Sequence, residues 1–152
     1  MKTSTNKSNH LIDFKINIKI KLAGLWTATT LCYLYGDYFQ LYIPGQVESL
    51  ISGENALDSP VMLFIASVIL AIPPIMIFLS LVLKPTLNRI LNIAFGLLFT
   101  IMMVLIAINS FTPWYAFYLF LGIVEAILTF IIVWVAFKWP RENEQHPLQT
   151  TK

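Results

Sequence analysis

Four long runs of apolar residues leave this chain few ways to fold in water. They cover residues 22–43, 60–83, 87–108 and 113–137, and each is close to the roughly 20 residues that a helix needs to cross the hydrocarbon of a bilayer. Only 12% of the 152 residues are charged, about half the share found in soluble domains. A water-soluble body of this size cannot bury so much apolar surface. The runs predict an all-α integral membrane protein, with one transmembrane domain over residues 1–152 and polar tails at 1–14 and 141–152.

Capping residues and short links organise the runs into helices. Ser59-Pro60 and Thr112-Pro113 each offer a side-chain cap before a proline at the first helical position. Only a few residues separate the second, third and fourth runs, so successive helices are expected to be antiparallel neighbours. These features predict a four-helix up-down-up-down bundle, with a short surface helix around residues 47–51 in the first loop.

Basic residues set the predicted orientation, because all of them fall on one side of this bundle. They are Lys2, Lys7, Lys15, Lys19, Lys21, Lys84, Arg89, Lys138, Arg141 and Lys152. The other side has only Glu48, Glu54 and Asp58 in the first loop. The positive-inside rule therefore places the N and C termini in the cytoplasm.

Residues 12–21 do not fit the scheme, because apolar and polar side chains alternate there with the period of a strand. No second segment alternates in this way, so a partner strand is missing. A helix at the membrane interface, with lysines that extend towards water, is the favoured interpretation. The role of the segment stays open.

Polar residues inside the runs are candidate site residues, because membrane helices turn polar side chains away from lipid. Glu125 lies roughly 18 Å below the outer end of the fourth run, where an ionised carboxylate costs several kcal/mol. Thr30 and Thr100 fall at a similar depth. These three side chains are predicted to form a mid-membrane polar slot beside Pro73-Pro74. The alternative is a protonated Glu125 bonded to one hydroxyl or carbonyl group, in a core whose small residues only serve helix packing.

Asp37 is a second acidic candidate, roughly 9 Å from the outer end of the first run. It lies in an aromatic cluster with Tyr33 and near the expected depth of Tyr118, so Asp37 and Tyr118 are expected to pair if the first and fourth helices touch. The alternative is an interfacial aspartate satisfied by tyrosines. A depth difference of about 9 Å between Asp37 and Glu125 argues against a direct acid–base partnership.

Lys84 and Arg89 form a predicted basic corner at the cytoplasmic surface, with lipid headgroup phosphate as its natural ligand. The alternative is that these residues only determine topology.

Several kinds of chemistry lack their residues in this sequence. Cys32 is the one cysteine, and the histidines are His10 and His146 in the tails. No metal site, haem site or thiol redox pair is therefore predicted in the membrane. No cofactor is expected, and nothing indicates nucleic-acid binding.

Four segments carry a family resemblance. They are Tyr35-Gly36-Asp37-Tyr38, Leu70-Ala71-Ile72-Pro73, Leu83-Lys84-Pro85 and Asn109-Ser110-Phe111-Thr112-Pro113-Trp114. Together they resemble a family of small bacterial membrane proteins of unknown function, from about Phe14 to Trp139. The resemblance implies a multi-pass, four-helix protein of the bacterial inner membrane, with no assigned activity. The overall plan is also similar to DoxX-like proteins, as an architectural analogy only.

The leading functional hypothesis is a non-enzymatic protein that binds or transports a small or lipid-like molecule, with Glu125 and Asp37 as proton-sensitive groups. Membrane lipids are its expected partners, and a translocation path would require a homodimer. One alternative is a membrane enzyme that acts on a lipid or isoprenoid with Glu125 as general acid. Another is an accessory subunit whose polar stripes meet a partner helix.

Overall fold

The fold of this protein is all-α in the part of the chain that the structure, a computed structural model, describes: residues 15–53, 57–109 and 112–140. The helices are α1 (Ile18–Gln40), α2 (Gln46–Ser52), α3 (Pro60–Val82), α4 (Pro85–Asn109) and α5 (Ala116–Phe137), with a 3-10 turn over Pro113–Tyr115 before α5. The four long helices correspond to the four apolar runs, and α2 corresponds to the expected surface helix. The predicted polar tails lie outside the described residues.

Three segments are long and apolar enough to cross a membrane: Pro60–Val82, Pro85–Ile108 and Pro113–Phe137. They match the second, third and fourth predicted spans. The 23-residue helix α1 is not among them, because its threonines, tyrosines and glycines, together with Lys19, Lys21 and Asp37, lower its mean hydropathy.

Helix α1 begins earlier and ends earlier than the predicted span of residues 22–43. The Asn17 side chain accepts a hydrogen bond from the backbone N–H of Lys19 at 2.9 Å, which caps the helix. After Gln40 the chain turns, and Gly45 adopts a left-handed conformation with φ of 81°. The described part of the alternating segment is therefore irregular at residues 15–17 and helical from Ile18, and its first residues lie outside the described range.

Of the two helix caps predicted from the sequence, one is formed in the structure and the other is not. Ser59 caps α3 by accepting a hydrogen bond from the Met62 N–H at 3.3 Å, ahead of Pro60. Thr112 precedes the 3-10 turn but makes no side-chain capping bond. The extra turn replaces the direct helix start that the sequence predicted there.

Helix contacts do not all follow chain order. Helix α5 lies against α4 and α1, whereas α3 lies against α1 and scarcely contacts α4. The prediction of packed successive hairpins therefore fails for α3 and α4, because a short link fixes only the helix ends. The N-terminal half of α3 is exposed, with Val61 67% and Phe64 69% exposed, whereas Met76 in its C-terminal half is buried.

The apolar core is built around aromatic side chains from α1 and α4. Its buried members are Leu22, Trp26, Met76, Phe99, Ile132 and Ala136. The Phe99 ring meets the edges or faces of two rings of α1, with centroids 6.0 Å from Trp26 and 5.9 Å from Tyr33. Such edge-on geometry is favourable between aromatic quadrupoles.

A buried polar network lies next to this core, formed by Trp26, Ser80, Asn88 and Asn92. The Trp26 indole N–H donates to Asn92 Oδ1 at 2.8 Å, and the Ser80 hydroxyl lies 3.4 Å from the same oxygen. Asn92 donates to the Asn88 side chain at 2.6 Å, and Asn88 donates to the Ser80 carbonyl at 2.6 Å. This asparagine network therefore joins α1, α3 and α4 through groups that have no contact with solvent.

Removal of Asn92 should destabilise the fold. Asn92→Leu leaves the Trp26 indole N–H without its acceptor and the Asn88 side-chain oxygen without its donor, and we expect a loss of about 2–4 kcal/mol in the free energy of unfolding. Thermal unfolding followed by circular dichroism in detergent would measure it. Ser67→Ala is the control, because the Ser67 hydroxyl bonds only the Phe64 carbonyl of its own helix. An Asn92→Leu protein that melts with the wild type would contradict the role of the network.

The closest approach of α4 to α5 depends on Gly96. A Cβ atom at this position would lie 2.8 Å from Val133 Cγ2 and 3.3 Å from Ile132 Cγ2. Neither branched side chain can rotate away cheaply on a helix. The absence of a side chain at Gly96 therefore lets the two helices pack together.

Gly96→Ala should push α4 and α5 apart and cost about 1–3 kcal/mol of stability. Gly24→Ala is the matched control, since nothing lies within 4 Å of the added methyl group there and alanine favours helix. Adding Val133→Ala to Gly96→Ala should restore part of the unfolding temperature. If Gly96→Ala and Gly24→Ala melted alike, the close approach would not matter for stability.

Candidate functional site

Glu125 lies on the buried face of α5, in a stripe with Gly122, Thr129 and Ile132 at helical spacing. The residue is only 4% exposed. An ionised carboxylate that is so little exposed on an apolar helix is costly, which makes its surroundings the first candidate for a functional site.

A small cavity adjoins Glu125 between α1, α4 and α5. It is lined by Tyr33, Gly36, Asp37, Met103, Tyr118, Leu121, Gly122 and Glu125. Its volume of about 10 Å³ is room for roughly one water molecule. We call this space the acidic cavity.

Four of the predicted site residues meet at the acidic cavity. Tyr33 and Asp37 come from α1, and Tyr118 and Glu125 come from α5. Asp37 is exposed at the mouth, whereas the Tyr33 hydroxyl is buried and has no hydrogen-bond partner. The Tyr118 ring lies 3.7 Å from where a Cβ on Gly36 would stand. Helices α1 and α5 do touch, as the expected proximity of Asp37 to Tyr118 required.

The acidic cavity brings together several groups that can lose a proton and no group that carries a positive charge. They are the carboxyl groups of Asp37 and Glu125 and the phenol groups of Tyr33 and Tyr118. No lysine or arginine lines the space. Two negative charges around one small cavity repel each other strongly in apolar surroundings. The arrangement is therefore suited to hold a proton or a small cation between Asp37 and Glu125.

Thr30 and Thr100 do not complete the predicted polar slot. The Thr30 hydroxyl donates to the Trp26 carbonyl of its own helix at 2.8 Å, and Thr30 is absent from the cavity lining. Thr100 donates to the Thr129 hydroxyl at 2.8 Å, which in turn donates to the backbone carbonyl of Glu125 at 2.8 Å. The prediction rested on counting residues along each helix, and position along a helix does not determine the direction in which a side chain points.

A second, larger space lies on the surface between α4 and α5, and the sequence did not predict it. It is lined by Thr100, Val104, Ala107, Ile108, Leu119, Gly122, Ile123, Ala126, Ile127 and Phe130. Its volume of about 520 Å³ falls in the range typical of ligand sites. We call it the outer groove. The sequence feature that could have predicted this groove is a set of small residues on the two helices: Ala107 on α4, opposite Gly122 and Ala126 on α5.

Gly122 lines both the acidic cavity and the outer groove. A Cβ atom there would lie 3.9 Å from the Ala107 Cβ and 4.0 Å from the Met103 carbonyl oxygen. The wall between the acidic cavity and the outer groove is therefore thin at Gly122.

The two residues of the predicted basic corner, Lys84 and Arg89, have different surroundings. Lys84 is exposed after α3. Arg89 donates to the Phe137 carbonyl at 3.3 Å, and its guanidinium carbon lies 5.9 Å from the centre of the Phe137 ring. Arg89 thus stabilises the C-terminal end of α5, where a positive charge is favourable. The corner as a lipid headgroup site stays a prediction.

Metal ligands do not gather anywhere in the described ranges: no three His, Cys, Asp or Glu side chains there lie close enough to hold a metal ion.

Comparison with known proteins places the chain in a family. It has no significant match among curated proteins or among solved structures. The family model described as "Family of unknown function (DUF6326)" matches residues 10–146, which include all five helices and every residue of the acidic cavity. The predicted resemblance to an uncharacterised family is confirmed, and the analogy to DoxX-like proteins stays a prediction. This chain belongs to the DUF6326 family of unknown function.

Proposed function

We propose that this chain is a non-enzymatic integral membrane protein that binds or transports a small lipid-like molecule, with Glu125 and Asp37 as its proton-sensitive groups. One observation carries the proposal: the acidic cavity and the outer groove share a wall at Gly122. A molecule in the groove would lie within reach of a charge change at Glu125.

In the proposed topology α1 crosses the membrane together with α3, α4 and α5. The four spans form an up-down-up-down bundle, with both termini cytoplasmic in a bacterial inner membrane. Helix α1 has the same 23-residue length as α3 and lies against both α3 and α5. A helix in that place would cross the bilayer with its neighbours. A homodimer would complete a path through the membrane, as the sequence led us to expect.

Accessibility of single cysteines tests this topology. In a Cys32→Ser background, Ser52→Cys lies at the end of α2 and Lys84→Cys lies between α3 and α4. We expect a membrane-impermeant maleimide to label position 52 in intact spheroplasts and position 84 only after permeabilisation. Labelling of both positions from the same side would contradict the topology.

The outer groove has the chemistry of a site for a hydrocarbon chain. Its lining is apolar apart from Thr100, whose hydroxyl is already bonded to Gly96 and Thr129. No free polar group is left to recognise a sugar or a charged metabolite. An apolar ligand from the bilayer fits this surface best, because it gives up no hydrogen bonds on entry.

Charge on Glu125 would control this site through hydration. An ionised carboxylate in the acidic cavity needs water or a cation beside it. Water on the cavity side of Gly122 disfavours an apolar molecule on the groove side. A neutral carboxyl group needs less solvation. Occupancy of the groove should therefore be highest when Glu125 is protonated and should fall as it ionises.

Photolabelling tests binding in the groove. A long-chain alcohol carrying a diazirine has no titratable group, and we expect it to label residues 104–108 and 119–130 saturably. Ala126→Trp should fill the groove and abolish the saturable part. Ser67→Trp, on the exposed half of α3, is the control and should leave it unchanged. Labelling of the groove and of α3 that rises in parallel, without saturation, would mean simple contact with lipid.

The same assay tests proton sensitivity. For the wild type, saturable labelling should fall severalfold as the pH rises through the ionisation of the acidic cavity. Glu125→Gln carries no charge, so it should keep the low-pH level of labelling throughout. Glu48→Gln alters an exposed carboxylate on α2 and should preserve the wild-type profile. If Glu125→Gln also followed the wild-type profile, Glu125 would not be the proton-sensitive group.

The enzymatic alternative has less support in the geometry. The acidic cavity, with a volume of about 10 Å³, has room for roughly one water molecule. A general acid needs a partner group and space for substrate. The accessory-subunit alternative stays open, because the exposed half of α3 could face either lipid or a partner helix.

A further inference from the structure

A basic pocket lies between the start of α1 and the end of α5, away from the acidic cavity. Its charged residues are Lys15, Lys21 and Lys138, and its volume is about 600 Å³. Residues 15–17 run irregularly before α1, and this course brings Lys15 beside the end of α5. Two parts of the chain more than a hundred residues apart thus contribute positive charge to one concave surface.

The three lysines of the basic pocket have no acidic partner among the described residues, and no carboxylate lines the pocket. Lys19 provides the contrast within the same segment. Its ammonium group donates to the carbonyl oxygens of Leu83 at 2.8 Å and Leu81 at 3.3 Å, at the end of α3. Lys19 is therefore used within the fold, whereas the pocket lysines keep their charge available for an anion.

The walls of the basic pocket are apolar, which narrows the kind of anion that fits. Ile18 and Val135 line it together with Trp134, which is 52% exposed. The Lys138 ammonium lies 4.2 Å from the centre of the Trp134 ring, so the indole holds one of the charges in place. Tryptophan at such a position is typical of the membrane–water interface. A ligand that combines a phosphate with a hydrocarbon chain matches both the charges and the walls.

We propose that the basic pocket binds the phosphate headgroup of an anionic phospholipid, with Lys15, Lys21 and Lys138 around the phosphate and the upper acyl chain against Trp134. Basic pockets between membrane helices on the cytoplasmic side bind such headgroups. This site is separate from the Lys84–Arg89 corner that the sequence predicted, and it does not depend on the function proposed for Glu125.

Native mass spectrometry of the full chain tests the site directly. The protein is released from nanodiscs of phosphatidylcholine containing a minority of phosphatidylglycerol, and the retained phosphatidylglycerol molecules are counted. Each lysine close to an anionic headgroup changes affinity by roughly fivefold. We therefore expect Lys138→Gln to reduce retention severalfold, and Lys15→Gln with Lys21→Gln to reduce it further.

Lys84→Gln is the matched control, because it makes the same chemical change at an exposed lysine outside the pocket. It should leave retention unchanged. Equal effects of Lys84→Gln and Lys138→Gln would overturn the proposal, since they would indicate general attraction to a charged surface. Inorganic phosphate added before release separates the two sources of a phosphate group. Retention that withstands it supports the phospholipid, and complete displacement would overturn that assignment in favour of a soluble phosphate ligand.

Discussion

The hydrogen bond from the Trp26 indole to Asn92 is the interaction on which the arrangement of the long helices most depends. The backbones of α1 and α4 scarcely approach each other, so side chains provide the link between them: this 2.8 Å bond and the contacts of the Phe99 ring with Trp26 and Tyr33. Ser80 brings α3 into the same network. In apolar surroundings each of these polar groups is costly without its partners, and a displaced helix would leave several of them unsatisfied at once. The network therefore fixes which faces of the helices meet.

That choice of faces creates both spaces of the proposed function. With α1 held by α4 at the Trp26 end, the other end of α1 lies against α5, and Asp37 and Tyr33 meet Tyr118 and Glu125. The close packing of α4 on α5 at Gly96 then gives way to the outer groove beyond Thr100, where Ala107, Gly122 and Ala126 leave room. The acidic cavity thus follows from the contact of α1 with α5, and the outer groove follows from the contact of α4 with α5, which is close at Gly96 and open beyond Thr100.

Sequence reasoning succeeded where apolarity decides the outcome and failed where direction does. The apolar runs predicted the long helices and the three segments long and apolar enough to cross a membrane. Thr30 shows the limit of counting along a helix. Its neighbour Thr29 is the fully buried residue, and the hydroxyl of each threonine donates to a carbonyl group of its own helix. A period of 3.6 residues per turn limits direction only to a broad sector, and the contacts of the neighbouring helices select within it.

The lysines before α1 illustrate how one charge pattern serves two purposes. Alternation placed Lys15, Lys19 and Lys21 in a row with the period of a strand, for which an interfacial helix was the favoured interpretation. From Ile18 the chain is helical, and each residue is rotated by about 100° from the one before it. The lysines of the row therefore point in different directions. Lys19 reaches the free carbonyl groups at the end of α3, which otherwise lack partners at a helix terminus. Lys15 and Lys21 turn towards the end of α5, where Lys138 already lies. The charges on which the proposed orientation rests are therefore also divided by the fold into one lysine that supports the structure and the group that forms the proposed phospholipid site.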